Sequence, residues 1–287
     1  MKPLETCTVG IIGLGMMGGA FATALRTKEV MGAGGRILAC DLDEESLGAA
    51  KNDGSIDEGF TAPELMLGQC DLVLLCINPS ALLHFMEKWM SAFRPGALIT
   101  DIAGIKSSIV AAMERTLRED LDFIPGHPMA GSEKAGYAHA NRCNFHGKNY
   151  ILTPLKRNKP ENLAFLKDMI RRMGFSRITE TTAEDHDRKI AFTSQLSHVI
   201  AAALIDCEPD QEITRFGGGS FEDLTRIAML NVPMWTELFL ENQQELVQRI
   251  SQFQGSLDKL KGFIAEGSRE ALEENLRLVR ERRGAMR

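Results

Sequence analysis

Short apolar runs alternate with segments of helical periodicity from Cys7 to about Glu180. Several of these runs are hydrophobic throughout, as expected of parallel strands that are buried on both faces. The expected strands lie over 8–12, 36–40, 72–77, 97–100, 122–124, 150–152 and 176–178, and the expected helices over 17–27, 44–51, 80–93, 106–119 and 161–173. This alternation predicts an α/β domain built on a doubly wound parallel sheet.

Beyond this region only helical periodicity continues, interrupted by a glycine-rich segment at 216–220 and by Pro233. The pattern predicts two domains, an α/β domain over 1–182 and an all-α domain over 183–287. The last stretch, 258–283, is highly charged and carries an apolar stripe, which is typical of a helix packed on one face. A two-fold homodimer built from the C-terminal helices is the expected assembly.

Length and charge narrow the classes of protein. The 287 residues suit two domains of about 150 residues each. Lys and Arg number 33 against 39 Asp and Glu, which gives a net charge of −6. This balance disfavours binding to nucleic acid, because phosphate backbones are held by clustered cations. The strongly apolar run 199–205 is far shorter than the roughly 20 residues that span a membrane, so no membrane segment is predicted.

The cysteines and the N-terminus bear on the cellular compartment. Six cysteines show neither CxxC pairs nor regular spacing, which disfavours zinc and favours reduced, mostly buried thiols. No metal site is predicted. Residues 1–8 carry one lysine and no small-residue cleavage site, so no secretory signal is predicted. These features together predict a cytoplasmic protein.

A Gly-x-Gly-x-x-Gly loop follows the first expected strand and opens the first expected helix. In this context Gly13 permits the tight turn, Gly15 lets a pyrophosphate approach the backbone, and Gly18 lets the helix pack close to the strand. The helix begins near Met16 and Met17 and offers amide donors and its positive dipole end to phosphate. The loop therefore predicts a dinucleotide site.

An acidic residue completes this dinucleotide motif. Asp41 ends the second expected strand, 23 residues after Gly18, where a carboxylate accepts hydrogen bonds from the adenine ribose hydroxyls. Leu42 and Asp43 follow it in place of an arginine, so a 2′-phosphate would meet negative charge. The motif predicts a Rossmann-type domain that prefers NAD to NADP, and the alternative for Asp41 is a capping or surface role.

The carboxyl edge of the sheet collects further polar residues. Asn78 and Pro79 follow the strand over 72–77, so they are expected beside the cofactor. His127 follows the strand over 122–124 and should emerge at the same edge, where a histidine can take a proton from a hydroxyl. Position alone leaves a loop or capping role for His127 equally open.

The helical domain adds a histidine and an arginine. Ser194, Gln195 and His198 share one face of an apolar helix, where polar groups need partners on another helix or on a ligand. A satisfied core histidine is the default interpretation of His198. Arg226 either pairs with the acidic residues one helical turn before it, a weak surface contact, or clamps a carboxylate with both arms of its guanidinium.

Three motifs together resemble the prephenate/arogenate dehydrogenase family of tyrosine biosynthesis. They lie at 127–133, 194–198 and 218–228 and occur in the same order as in that family. The resemblance extends from Gly10 to about Glu241. It implies an NAD-dependent oxidoreductase that converts prephenate to 4-hydroxyphenylpyruvate and CO2, with arogenate, which carries an amino group in place of the keto group, as the alternative substrate.

The resemblance also implies roles for individual residues. The residue matching His127 hydrogen-bonds the ring hydroxyl, and the residue matching Arg226 holds the ring carboxylate. His198 is implied near the ring, while Trp235 and the backbone of Gly219 approach the pyruvyl side chain. A neutral imidazole suits the role of His127, because the hydroxyl proton must leave as hydride departs.

One departure from the family pattern affects the site. Many relatives carry a serine where this chain has Gly104, and glycine supplies no hydroxyl. Ser107 or Ser108, one turn later, could supply it to the substrate, or the site relies on His127 alone, and the residues leave this choice open. The resemblance further implies an ionic network in which Glu133 and Asp223 orient the arginine.

Two other classes of protein share parts of this sequence pattern. β-Hydroxyacid dehydrogenases and imine reductases have a similar glycine-rich opening, but they give no reason for His127, and Lys189 lies in a setting unlike that of the catalytic lysine of the hydroxyacid enzymes. A non-catalytic NAD-sensing module would bind nucleotide without turnover. The sequence leaves open the choice between prephenate and arogenate and any inhibition by tyrosine.

Overall fold

A six-stranded parallel sheet forms the centre of the computed structural model, which describes residues 2–31, 34–131 and 134–286. Its strands are β1 (Thr8–Ile12), β2 (Arg36–Cys40), β3 (Glu58–Phe60), β4 (Leu72–Leu75), β5 (Leu98–Asp101) and β6 (Asp122–Phe123). The strand order is β3-β2-β1-β4-β5-β6, so the direction of winding reverses between β1 and β4. Ligands bind at such a reversal, beyond the carboxyl ends of the strands.

Helices cover both faces of this sheet, which confirms the doubly wound α/β class. They are α1 (Met16–Leu25), α2 (Glu44–Asn52), α3 (Glu64–Leu67), α4 (Pro79–Trp89), α5 (Ser107–Thr116) and α6 (Pro160–Arg172). Local chemistry sets several starts: the Asp43 side chain accepts from the amide of Glu45 and caps α2, while α4 and α6 begin with proline. Neighbouring strand residues alternate between two buried clusters, with Ile11 in one and Ile12 in the other.

A separate three-stranded sheet differs from the sequence prediction. It contains β7 (Gly126–Pro128), β8 (Asn149–Leu152) and β9 (Arg177–Glu180), with β7 antiparallel and β9 parallel to β8. The segments 150–152 and 176–178, predicted within the alternation of one parallel sheet, pair here instead. β7 was not predicted. It approaches β8 closely because Gly126 has no side chain: a Cβ there would lie 2.7 Å from the ring of Tyr150.

All regular structure described after residue 180 is helical, which confirms the all-α second part. It comprises α7 (Ala183–Ile190), a π-helical turn (Ala191–Gln195), α8 (Leu196–Asp206), a 3-10 helix (Gln211–Phe216), α9 (Gly219–Thr225), a 3-10 turn (Arg226–Ala228), α10 (Val232–Glu241), α11 (Gln243–Ala265) and α12 (Arg269–Ala285). The predicted boundary at 182/183 falls between β9 and α7. Among the described residues, no helix combines the length and the apolar character needed to cross a membrane.

Candidate active site

The glycine-rich loop forms a narrow cradle at the switch point of the sheet. Gly13 adopts a positive φ of 88°, and a Cβ there would lie 2.6 Å from the carbonyl oxygen of Cys76. A Cβ on Gly18 would lie 1.9 Å from the carbonyl oxygen of Gly13, so helix α1 can pack this closely only with glycine. A Cβ on Gly15 would meet nothing within 4 Å, and α1 begins at the next residue, Met16. The cradle thus leaves open space in front of a helix N-terminus, as a pyrophosphate requires.

Asp41 braces this cradle from the end of β2. Its carboxylate accepts hydrogen bonds from the amide of Leu14 at 2.5 Å and from the amide of Asp43 at 2.9 Å. The side chain of Leu42 is fully exposed next to it. The carboxylate therefore both holds the loop and places negative charge beside it.

Asn78 and Pro79 lie beyond the carboxyl end of β4, beside the cradle. Pro79 is the first residue of α4, and Asn78 precedes it in an extended conformation with an exposed side chain. The amide of Ser80 donates a hydrogen bond of 2.5 Å to the carboxylate of Glu237 on α10. This bond ties the helical part of the chain to the same edge of the sheet.

His127 lies in β7, adjacent to the end of β5. The amide of Gly126 donates to the Asp101 carboxylate at 3.1 Å, which positions β7 at the carboxyl edge. The His127 side chain is only partly exposed. Burial lowers the pKa of His127 well below its usual range, and positive charge on His186 or Lys106 would lower it further. The imidazole is therefore neutral near pH 7, which is the form that can accept a proton.

Two residues that the sequence interpretation missed lie directly behind His127. His127 Nδ1 lies 2.9 Å from Nε2 of His186, and Nδ1 of His186 lies 2.7 Å from Oδ1 of Asp187. Both residues are buried and belong to α7. In the sequence they read as part of a charged helix start, and no pattern along the chain indicates that α7 packs against a strand nearly sixty residues earlier.

Asp187 is held as a carboxylate by the first amides of α5. The amides of Lys106 and Ser107 donate to it at 2.8 and 2.7 Å. Burial alone would raise the pKa of Asp187, but the hydrogen bonds from His186 and Ser107 outweigh burial and lower it. The positive end of the α5 dipole favours the same ionised form.

A buried ion pair supports the loop between β5 and α5. The ammonium of Lys106 contacts the Asp101 carboxylate, and both side chains are fully buried. The Asp101 carboxylate also accepts from the amide of Ala103 at 2.9 Å. Removing either partner would leave an uncompensated buried charge, so this pair fixes the position of the loop.

Gly104 lies in this loop, next to His127. A Cβ on Gly104 would lie 3.3 Å from the side chain of Leu238 and 3.9 Å from Cε1 of His127. The position at which the family resemblance implies a serine is thus beside the imidazole. Ser107 uses its amide to bind Asp187, while the hydroxyl of Ser108 is buried without a hydrogen-bond partner within the described structure. Substrate binding by Ser107 stays a prediction.

His198 stacks on Trp235 in the helical part of the site. Their ring centroids are 3.7 Å apart, with planes inclined by 30°. His198 Nδ1 donates to the carbonyl of Ser194 at 2.9 Å. Burial lowers the pKa of His198 and the charge of Arg226 lowers it further, against the opposing effect of the Ser194 bond. Arg226 therefore lies within electrostatic range of this ring.

Gln195 faces protein rather than the site. It ends the π-helical turn, which shifts it away from the simple helical spacing assumed in the sequence interpretation. Gln195 Nε2 donates to the carbonyl of Leu238 at 2.9 Å, and Asn242 Nδ2 donates to Gln195 Oε1 at 2.8 Å. Asn242 Nδ2 also donates to the Asp187 carbonyl at 3.0 Å. The sequence left open whether Gln195 binds another helix or a ligand, and the structure shows bonds to other parts of the protein.

Helix α10 brings the two halves of the site together. Trp235 stacks on His198, Glu237 binds the start of α4, and Leu238 lies against Gly104. These three residues occupy little more than one helical turn. Helix α10 is consequently linked to His198, to the start of α4 and to the loop that carries Gly104.

The remaining predicted residues are less enclosed. Gly219 begins α9 and is exposed, as is Arg226 in the 3-10 turn that follows α9. Asp223 is exposed on α9. Glu133 lies outside the described residues. Among the residues that the structure describes, no cluster of His, Cys, Asp and Glu could hold a metal ion.

Comparison with family models matches both parts of the chain. A model described as the prephenate dehydrogenase nucleotide-binding domain matches residues 21–179. A second model, described as the prephenate dehydrogenase dimerization domain, matches residues 182–278.

Known relatives are similar over nearly the full chain. Prephenate dehydrogenase of Bacillus subtilis is 28% identical over 92% of this chain and 72% of the relative, and cyclohexadienyl dehydrogenase of Zymomonas mobilis is 29% identical over 97% and 96%. Among solved structures, prephenate dehydrogenase from Aquifex aeolicus in complex with hydroxyphenyl propionate and NAD+ is 33% identical, with a TM-score of 0.87. The match covers 98% of this chain and 99% of the Aquifex chain. Synechocystis arogenate dehydrogenase has a TM-score of 0.79 and 26% identity, covering 96% and 99%.

Proposed function

The chain belongs to the prephenate dehydrogenase family, and from that premise we propose that it converts prephenate to 4-hydroxyphenylpyruvate and CO2 with NAD as oxidant. One observation carries the proposal: a neutral imidazole, His127, lies at the same sheet edge as the glycine cradle. Oxidation of a ring alcohol needs a hydride acceptor and a proton acceptor side by side, and this edge offers a place for both.

The residues of the cradle fit NAD. Gly13 and Gly18 allow the tight turn, Gly15 leaves space for the pyrophosphate, and Asp41 would hold the adenine ribose. Bound in this cradle, NAD would supply the acceptor for the hydride of the ring carbinol carbon. Asp41 disfavours the 2′-phosphate of NADP because two negative groups would share one pocket.

His127 accepts the proton of the ring hydroxyl. Its neutral state at pH 7 leaves a nitrogen lone pair for this proton. Loss of the ring carboxylate as CO2 then makes the ring aromatic, which drives the reaction forward. The remaining task of the protein is to orient the substrate and to keep its ring next to His127.

The chain as a whole is negative, so an anionic substrate needs a cation placed locally to hold its carboxylates. Arg226 lies near His198, and we assign it the ring carboxylate, for which a guanidinium offers paired donors. His198 and Trp235 form a stacked wall for the ring, and the backbone of Gly219 at the start of α9 is assigned to the pyruvyl side chain.

Formation of NADH by the purified protein tests this function. Prephenate and arogenate are offered in parallel, because the arogenate dehydrogenase of Synechocystis shares this fold. We expect turnover with prephenate and loss of most of it in His127→Asn, while NAD affinity is retained. NADH formation from arogenate alone would assign the alternative substrate, and no NADH from either would reject the proposal.

A homodimer through the C-terminal helices is proposed as the assembly. All exposed large hydrophobic side chains among the described residues, except Leu42 and Leu65, lie after residue 190. Such a concentration favours a protein interface. The match of residues 182–278 to a dimerization domain supports the same assembly. A cytoplasmic location is proposed with it, supported by six free cysteines.

A further inference from the structure

His127, His186 and Asp187 form a continuous hydrogen-bonded line that leads from the candidate site into the protein. We propose that His186 and Asp187 are positioning residues that fix the tautomer of His127 and take up the positive charge it gains. This proposal rests on the proposed function for its kinetic consequence, although its structural content can be tested without any substrate.

The direction of each hydrogen bond follows from the ionised carboxylate at the end of the line. Asp187 can only accept, and it already accepts from the amides of Lys106 and Ser107. The proton between Asp187 and His186 therefore belongs to Nδ1 of His186. In a neutral His186, Nε2 is then an acceptor, so Nδ1 of His127, which lies 2.9 Å from it, carries the proton of this hydrogen bond.

The same reasoning leaves Nε2 of His127 without a proton. This nitrogen carries the lone pair, and the protein uses the other ring nitrogen for its internal bond. The opposite tautomer would present an N–H to the substrate hydroxyl and could not accept its proton. The line of bonds thus selects the basic form of the ring before substrate arrives.

The line also gives the transferred proton a favourable destination for its charge. As the O–H bond of the substrate breaks, an Nε2–H bond forms on His127. The Nδ1 proton of His127 can then pass to Nε2 of His186, which leaves His127 neutral and His186 positively charged. That charge lies 2.7 Å from the Asp187 carboxylate, in a buried region where such a pair attracts strongly.

Asp101, a second buried carboxylate near this line, binds other groups. Asp101 contacts the Lys106 ammonium and accepts from the amides of Ala103 and Gly126. Asp187 is the carboxylate that faces His186, and its own support comes from the start of α5. The two carboxylates therefore have separate tasks: one neutralises Lys106 and the other orients the histidines.

Nitrogen-15 NMR of protein labelled at histidine tests the tautomers directly. At neutral pH we expect Nδ1–H and a bare Nε2 in both His127 and His186, with the signals assigned by their loss in His127→Asn and His186→Phe. In Asp187→Asn, the side-chain amide donates to His186, and both rings should exchange to the Nε2–H form. A wild-type His127 that carries its proton on Nε2 would overturn the proposal.

Steady-state kinetics test the consequence for turnover. His186→Phe removes the acceptor for His127, and we expect kcat to fall by about 100-fold, while KM for prephenate and the Kd of NAD change by less than about threefold. Asp187→Asn should reduce kcat at least as much, because it selects the wrong tautomer. His146→Phe, at an exposed histidine, serves as the matched control.

The outcomes separate this proposal from the function on which it rests. A wild-type kcat in His186→Phe and Asp187→Asn would reject the positioning role while leaving the dehydrogenase activity intact. Absence of turnover in the wild-type protein would reject the function, and the tautomers measured without substrate would still decide the hydrogen-bonded line. If His186→Phe does not fold, the NMR result on the wild-type protein decides alone.

Discussion

Individual residues act through the charge state that their surroundings impose. His127 and His198 are both neutral because burial lowers the pKa of each ring, and Asp187 is ionised because hydrogen bonds outweigh burial. Arg226 is the cation that the helical part of the chain brings near His198. A neutral base and a nearby cation suit a substrate that has a hydroxyl to deprotonate and carboxylates to hold.

Replacing Arg226 by alanine should weaken substrate binding. A hydrogen bond to a charged group contributes about 1.5–3 kcal/mol, which corresponds to a rise in KM for prephenate of about 10- to 150-fold. Arg215→Ala is the control, because Arg215 pairs with Glu212 on an exposed surface and should leave KM unchanged. A KM close to wild type in Arg226→Ala would return Arg226 to an ordinary surface role.

Replacing Asp41 by alanine should relax the choice of cofactor. The variant loses the charge that opposes a 2′-phosphate and the bond to the Leu14 amide, so the ratio of kcat/KM for NAD over NADP should fall by about tenfold, or about 1.4 kcal/mol. Glu45→Gln, on the exposed start of α2, is the matched control. Faster turnover of the wild-type protein with NADP than with NAD would contradict the role of Asp41.

Strands and helices bring distant residues together, and the sequence predicts only some of these strands and contacts. Buried apolar runs predicted β1, β2, β4 and β5 well, because a strand covered on both faces is hydrophobic throughout. Strands β3 and β7 span three residues each and contain glycine, so they show no such run. His186 and Asp187 reach His127 only because α7 packs behind β7, a contact between distant segments that local patterns do not record.

The packing of α7 and α8 predicts how stability depends on pH. Three histidines, His127, His186 and His198, have a lowered pKa in the folded chain. In the unfolded chain each pKa returns to its usual value of about 6.5. Below about pH 6.5 the unfolded chain therefore binds more protons at these sites, and the free energy of unfolding falls as pH falls toward the lowered values. The slope approaches about 1.4 kcal/mol per pH unit for each histidine.

Denaturant unfolding between about pH 7 and about pH 5.5 measures this slope, in a window above most carboxylate titration. His198→Asn should show a smaller slope than the wild-type protein, whereas His146→Gln, at an exposed histidine, should show the same slope. A free energy of unfolding that is flat over this window would contradict the buried, neutral state of the three rings.

The whole molecule combines a glycine-rich cofactor cradle in one part with the proposed substrate wall and an apolar surface in the other. The order of these parts along the chain was predictable, because the glycine loop and the loss of strand signals are both visible in the sequence. Their meeting at α10 was not, since Trp235, Glu237 and Leu238 show only helical spacing. The resemblance to a family supplied the roles that spacing could not.

The oligomeric state is a property of the whole molecule. The exposed apolar residues of the helical part predict a homodimer, so sedimentation equilibrium should give about twice the chain mass of 31.7 kDa. The mass should remain that of a dimer on dilution to micromolar concentration. A mass of one chain under these conditions would contradict the proposed interface.

The stoichiometry of the reaction is the sharpest test of oxidative decarboxylation with His127 as the proton acceptor. Purified protein, NAD and prephenate are combined, and NADH, CO2 and 4-hydroxyphenylpyruvate are measured together, with His127→Asn alongside. We expect the wild-type protein to form equal amounts of all three products. The variant should react at least about 100-fold more slowly, while its NAD affinity stays unchanged. NADH without CO2, or a variant as fast as the wild-type protein, would contradict oxidative decarboxylation with His127 as the proton acceptor.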